Sequence, residues 1–268
     1  MKLHLRESNN EELFVIENGV LTRVKGQLEG TVVIPDSVTE IGPIAFSENN
    51  NITSVKIPSN VNTIRENAFE YCNSLESVII SEGVKIIGEN AFECCEGLTS
   101  ITIPSSVTEI GDGAFCGCSS LESVNISNGV KTIGEYAFCS NPSLTSVKVP
   151  GSVTEIKTGL FSECSSLTSV IMDKGIKTIR DYAFSECSNL TSVAIPEGVT
   201  EIGDLAFYKC NSLESITVPN SVKKLGHNVF YLCKNLKSIT IPESLKVQLG
   251  DTGLKRSCKV NGKSWKIN

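Results

Sequence analysis

No hydrophobic stretch in the chain reaches the roughly 18 residues that a membrane-spanning helix needs. Residues 1–10 also lack the apolar segment that would follow Lys2 in an export signal. Read as a complete chain, the sequence is therefore expected to be cytoplasmic. Histidine is almost absent: His4 and His227 stand near opposite ends, and no two cysteines have the C-x2-C spacing of a zinc site. A basic surplus is missing too. The 24 Lys and Arg against 30 Asp and Glu give a formal charge of −6, whereas a general nucleic-acid binder draws its affinity from a basic field. The charge is uneven, +8 over residues 220–268 and −14 before them, but the basic end is too small to reverse that exclusion. The glycines that follow isoleucine occur singly and form no phosphate-cradling loop. These absences lead us to expect no metal, no cofactor, no nucleic-acid partner and no membrane insertion.

What the chain has is a period. Phe46, Phe69, Phe92, Phe115, Phe138, Phe161, Phe184, Phe207 and Phe230 recur every 23 residues without insertion or deletion. An unbroken repeat of this length marks the stacked coils of a solenoid, each burying its apolar face against its neighbours, and so a single elongated domain. In the unit running from Ile103 to Ile126, Leu121, Val124 and Ile126 have the spacing of inward-facing strand positions, which predicts a strand over 122–126. Pro104, Pro150, Pro196, Pro219 and Pro242 follow the strands and close them at a corner. Val107 and Ile110 form a second apolar pair with weaker strand character. Gly111 then turns the chain into a short helical segment around Ala114 and Phe115. Equivalent residues on stacked coils should lie about 4.8 Å apart, so the phenylalanines should form one aromatic spine, each ring worth roughly 2 kcal/mol of burial. Ala45, Ala68, Ala91, Ala114, Ala137, Ala183 and Ala206 leave room for the rings, while Leu160 and Val229 depart from that rule.

The combination I-P-x-x-V-T-x-I-G-x-x-A-F-x-x-C at this period resembles the BspA-like, or Treponema-pallidum-type, leucine-rich repeat. The resemblance covers about residues 31–242, and residues 14–35 are similar to the family's N-terminal unit. It implies a leucine-rich-repeat solenoid: a curved right-handed stack of about nine 23-residue coils, with a parallel β-sheet on the concave side and short helical or turn segments opposite. Residues 1–30 would then form an N-terminal cap, 31–242 the solenoid, and 243–268, with Trp265, a C-terminal cap. Members of the family are often surface or secreted proteins of host-associated bacteria and protists. The resemblance therefore implies a non-catalytic, adhesin-like module at the cell surface that recognises a host or matrix protein. An intracellular scaffold or regulatory repeat protein is the alternative, and a monomer is expected in either case.

Seven cysteines, Cys72, Cys95, Cys118, Cys164, Cys187, Cys210 and Cys233, share a column three residues after the phenylalanine, where Asn49 and Asn141 stand in the other two units. A position shared by Cys and Asn suits the satisfaction of buried backbone groups better than redox chemistry. Reduced thiols are expected there, because Cβ atoms stacked about 4.8 Å apart exceed the ~3.8 Å that a bridge prefers. Cys94, Cys116 and Cys139 lie off this column, and the last two share another, which leaves a bridge open. Nine serines, Ser54, Ser77, Ser100, Ser123, Ser146, Ser169, Ser192, Ser215 and Ser238, fill a further column. Repeated copies without a matching histidine column are the opposite of a unique nucleophile, so the hydroxyls are expected to bond to their stacked copies. Glu109, Glu155 and Glu201 alternate at two-coil spacing with Lys85, Lys131, Lys177 and Lys223 in the next column, separating like charges and bringing unlike ones together across coils. None of these columns points to an enzyme.

In a repeat protein, specificity must come from positions that vary between coils while the frame stays fixed. The outward strand position does so: Lys56, Ile79, Thr102, Asn125, Lys148, Ile171, Ala194, Thr217 and Thr240. This column, floored by the serines, is the first candidate for a partner-binding surface, with Ile79 and Ile171 as apolar anchors. Tyr208 and Tyr231, beside Lys209 and Lys234, are a second candidate with a hot-spot composition. The competing reading is that these two rings cover the end of the core.

Overall fold

The computed structural model describes residues 13–26, 28–255 and 257–264. His4 and Trp265, and with Trp265 its expected capping role, lie outside the described residues. Each coil contributes one main strand. Gly30–Val33, Ile52–Ile57, Ser77–Ile80, Ser100–Ile103, Ser123–Ile126, Ser146–Val149, Ser169–Met172 and Ser192–Val193 form one parallel sheet, stepping one coil per strand. An isolated bridge from Ala194 to Thr217 carries the ladder on to Ser215–Thr217, Ser238–Thr240 and Lys259–Val260, and Lys263–Ser264 closes it antiparallel. Burial alternates along these strands: in Ser123–Ile126, Val124 and Ile126 are buried while Ser123 and Asn125 face out. The strand expected over 122–126 thus begins one residue later. The second apolar pair also becomes strand, reduced to two residues, as in Glu109–Ile110, which pairs in register with Ile86–Ile87 and Thr132–Ile133.

The third side of the coil corrects the sequence reading. Around Ala114 and Phe115 there is no helix; the chain runs through consecutive turns. The residues two before and two after each spine phenylalanine have left-handed φ in every coil, Ile44 (51°) and Glu48 (61°) in the first and Asn228 (53°) and Leu232 (60°) in the ninth. Left-handed residues four apart break a helix, and here they aim alternate N–H groups along the rod. Asn67, Phe69 and Tyr71 donate to the carbonyls of Glu89, Ala91 and Glu93 on the next coil at 2.8–2.9 Å. Backbone groups that a helix would satisfy within the coil are satisfied between coils. Ile44 is the most strained occupant, because a β-branched side chain at positive φ is a steric outlier. Ile44→Asn should therefore stabilise the protein by about 1 kcal/mol, read as a higher midpoint in urea.

The core is a continuous column. The nine spine rings stack with centroids 4.7–6.0 Å apart and planes within 15° of parallel, the offset arrangement that aromatic quadrupoles prefer. Phe14 extends the spine by one ring, edge-on to Phe46 at 6.3 Å. At the other end a 3-10 helix, Glu243–Asp251, occupies the place of the next coil and buries Leu245 and Leu249 in the same core. Asn228 and Phe230 donate to Asp251 and Thr252, continuing the inter-coil bonds of the turn side.

Candidate functional site

The cysteine column is architecture. Each thiol donates to the carbonyl of the spine phenylalanine one coil back: Cys72 to Phe46, Cys95 to Phe69, Cys118 to Phe92, Cys164 to Phe138, Cys187 to Phe161, Cys210 to Phe184 and Cys233 to Phe207, at Sγ–O distances of 2.9–3.2 Å. Asn141 replaces the thiol with Nδ2, which donates to Phe115 at 3.0 Å and Phe138 at 2.9 Å. All seven cysteines are free and buried. Burial pushes the thiols of Cys72, Cys164 and Cys233 up to about 12 and raises the other four in the same direction, so at neutral pH they are hydrogen-bond donors and not nucleophiles.

That shift has a sign. A thiol whose folded pKa exceeds its unfolded value of about 8.5 contributes its full stability below pH ~8.5 and loses it as pH climbs toward the folded value, by about 1.4 kcal/mol per pH unit. Urea unfolding followed from pH 8 to 10 should show stability falling with pH, and Cys164→Asn, which puts a non-titrating donor in the column, should reduce that slope by one of the seven thiols' contributions, about 1.4 kcal/mol per pH unit.

Outside this column, Cys116 and Cys139 are disulfide-bonded, with Cα atoms 4.7 Å apart. This pair is stacked in register like the buried column, yet 4.7 Å lies within the Cα range that bridges span. The buried thiols stay free because they point inward at carbonyls. Among the described residues the serine column forms the expected stacked hydrogen bond at one step alone, where Ser77 donates to Ser54 at 2.9 Å; the other seven serines do not bond to their stacked copies, so the hydroxyl ladder is not formed. The charged columns differ from expectation in their partners. Glu40 takes Arg65 at 2.8 Å, Glu155 takes Arg180 and Glu201 takes Lys224 at 2.6 Å, whereas among the described residues Lys85, Lys131, Lys177 and Lys223 pair with no acid. These contacts raise the Arg65, Arg180 and Lys224 pKa values through hydrogen bonds to the carboxylates. Arg180, Asp181, Glu201, Asp204 and Lys224 line a shallow groove. Within it Lys224 pairs with Glu201, Arg180 reaches out of it to Glu155, and the Asp181 and Asp204 carboxylates accept backbone N–H groups of Asp204 and His227.

The variable column is exposed in all nine coils: Lys56, Ile79, Thr102, Asn125, Lys148, Ile171, Ala194, Thr217 and Thr240. Ile79 and Ile171 are 56% and 59% exposed. Sequence reasoning missed a tenth member, Val33, which pairs with Lys56 and is 51% exposed; its unit lacks the phenylalanine that sets the register. Lys148 is held by Asp173 at 3.0 Å. Tyr208 and Tyr231 stack at 6.0 Å on the turn side, with Lys209 Nζ 4.9 Å over the Tyr208 ring and 2.9 Å from Glu186. Tyr231 is 46% exposed while Leu245, Leu249, Leu254 and Val260 close the core, so these rings do not cover its end. The sheet column and the tyrosine pair lie on different sides of the coil and do not form one site.

Residues 28–143 and 158–258 match the BspA-type leucine-rich-repeat region, in six copies. Among solved structures, a leucine-rich-repeat protein from Bacteroides ovatus is similar over 85% of this chain and 68% of its own, with 33% identity and a TM-score of 0.73. The Treponema pallidum leucine-rich-repeat protein is similar over 95% of this chain and 98% of its own, with 25% identity and a TM-score of 0.58. No curated protein matches the chain. Repeat period, parallel ladders and these matches agree: the chain belongs to the BspA-type leucine-rich-repeat family.

Proposed function

We propose that the protein is a non-catalytic binding module whose outward strand column engages a protein partner, and that it works at the cell surface or after secretion as an adhesin-like receptor for a host or matrix protein. The observation that carries the reading is the contrast between columns. Phenylalanines and cysteines repeat and are consumed by stacking and hydrogen bonds within the rod, whereas the outward strand column changes from coil to coil and presents Ile79 and Ile171 to solvent. Exposed apolar side chains on a rigid polar sheet are suited to anchoring a partner.

The Cys116–Cys139 bridge supports an oxidising compartment. The buried thiols do not argue for the intracellular alternative, since as inert donors they fit either compartment. With the protein as bait for solubilised extracellular matrix, the double variant Ile79→Glu/Ile171→Glu should abolish capture while leaving the melting temperature within about 2 °C, because neither side chain is buried. Undiminished capture by that variant would refute the assignment of the sheet face.

A further inference from the structure

We propose that the N-terminal end of the sheet face, formed by Val33, Lys56 and Ile79, docks an acidic amphipathic α-helix lying along the rod axis. This rests on the sheet-face reading above and adds the chemistry and shape of the occupant. Val33 pairs with Lys56 and Lys56 with Ile79, so the three side chains stand in line on one face of three successive strands, about 4.8 Å apart. All three are exposed.

The combination of lysine and isoleucine occurs twice on this face, as Lys56 with Ile79 and, four coils on, as Lys148 with Ile171. Lys148 is neutralised by Asp173, whose equivalent beside Lys56 is Ser81. Among the described residues Lys56 has no acid within ion-pair distance. Beside it the Ser77 hydroxyl donates to that of Ser54. The N-terminal end therefore presents one uncompensated ammonium between two apolar side chains, and its complement is a carboxylate between two apolar groups.

Spacing selects the backbone. Val33 and Ile79 are two strand steps, about 9.6 Å, apart. On an α-helix, residues i and i+7 lie about 10.5 Å apart on one face with i+3 and i+4 between them. An extended strand laid along the same axis places same-face residues about 6.7 Å apart and leaves none at the midpoint. The fitting sequence is apolar at i, Asp or Glu at i+3 or i+4, and apolar at i+7.

The test is selection from a phage-displayed library of 16-residue peptides on an alanine-rich helical frame with one face randomised, followed by fluorescence anisotropy of a labelled enriched peptide. Enrichment of the apolar–acid–apolar pattern is expected, with binding weakened about tenfold or more by Lys56→Glu and by Ile79→Glu and changed less than about twofold by Ile171→Glu. Selection on the Lys56→Glu protein should return lysine or arginine at the middle position. Lys56 is exposed and, among the described residues, its side chain has no ion pair, so thermal melting serves as the folding control. Peptides without the acid, binding indifferent to Lys56→Glu, or no enrichment would each overturn the proposal. Loss with Ile171→Glu while Lys56→Glu is silent would overturn it and leave the sheet-face reading standing.

Discussion

Phe138→Ala is expected to lower the stability of the protein by about 3–5 kcal/mol, the usual loss for a large buried aromatic whose site cannot collapse. Phe138 sits mid-spine, stacked at 5.4 Å on Phe115 and at 6.0 Å on Phe161. Its removal leaves a void bounded by two rings whose backbones are fixed by inter-coil hydrogen bonds, which limits relaxation. In a quasi-one-dimensional array stability is a sum of coil and interface contributions, so a central coil that loses contacts on both sides weakens two interfaces at once. Phe14→Ala, at the end of the spine with one edge-on neighbour, should cost less. Urea unfolding of both variants checks the order. A Phe138→Ala loss below about 1 kcal/mol would mean that the spine is filled rather than structural. The larger loss should also broaden the transition, because a weakened centre lets the two halves unfold separately.

The second large effect is expected at Asn141. Asn141→Leu keeps the number and branching of the side-chain heavy atoms but removes the donor to the Phe115 and Phe138 carbonyls. Phe138 retains the thiol of Cys164, so the Phe115 carbonyl is the group left buried without a partner, at about 1–3 kcal/mol. Poor fit of a bulkier side chain in a column of small ones adds to this, and a total near 3 kcal/mol is expected. Asn141→Cys, which supplies the donor used by the seven cysteines of the column, should stay within about 1 kcal/mol of the parent. If Leu and Cys at 141 proved equally tolerated in a thermal or urea melt, the carbonyl-donor account of the whole column would fail.

These two sites show what a sequence can disclose. The spine was legible because buried, identical residues repeat at a fixed interval, and packing tolerates no insertion. The donor role of the cysteines was legible through its exceptions: Asn49 and Asn141 share with Cys only the ability to bond a backbone group. The turn side was not legible as non-helical. Its left-handed positions hold Ile44, Tyr136, Tyr182 and Leu205 as well as Asn67, Asn90, Gly113 and Gly159, so the glycine and asparagine signal is diluted by residues whose strain the inter-coil hydrogen bonds offset. Ion-pair partners were misread for a related reason. Arg65 and Arg180 reach diagonally to Glu40 and Glu155, and column alignment does not encode diagonals. Val33 is not marked as a column member by the sequence, because its unit carries no phenylalanine to fix the register.

In the proposed function the repeated columns build the rod and the variable strand column binds the partner. Hydroxyl-radical footprinting of the protein alone and with a captured partner reads side-chain exposure directly. Strong protection of Ile79, Ile171 and Lys56 is expected, with Tyr71, Tyr136 and Tyr231 on the turn side unchanged. Protection confined to those tyrosines, with Ile79 and Ile171 as reactive as in the free protein, would contradict the proposed function.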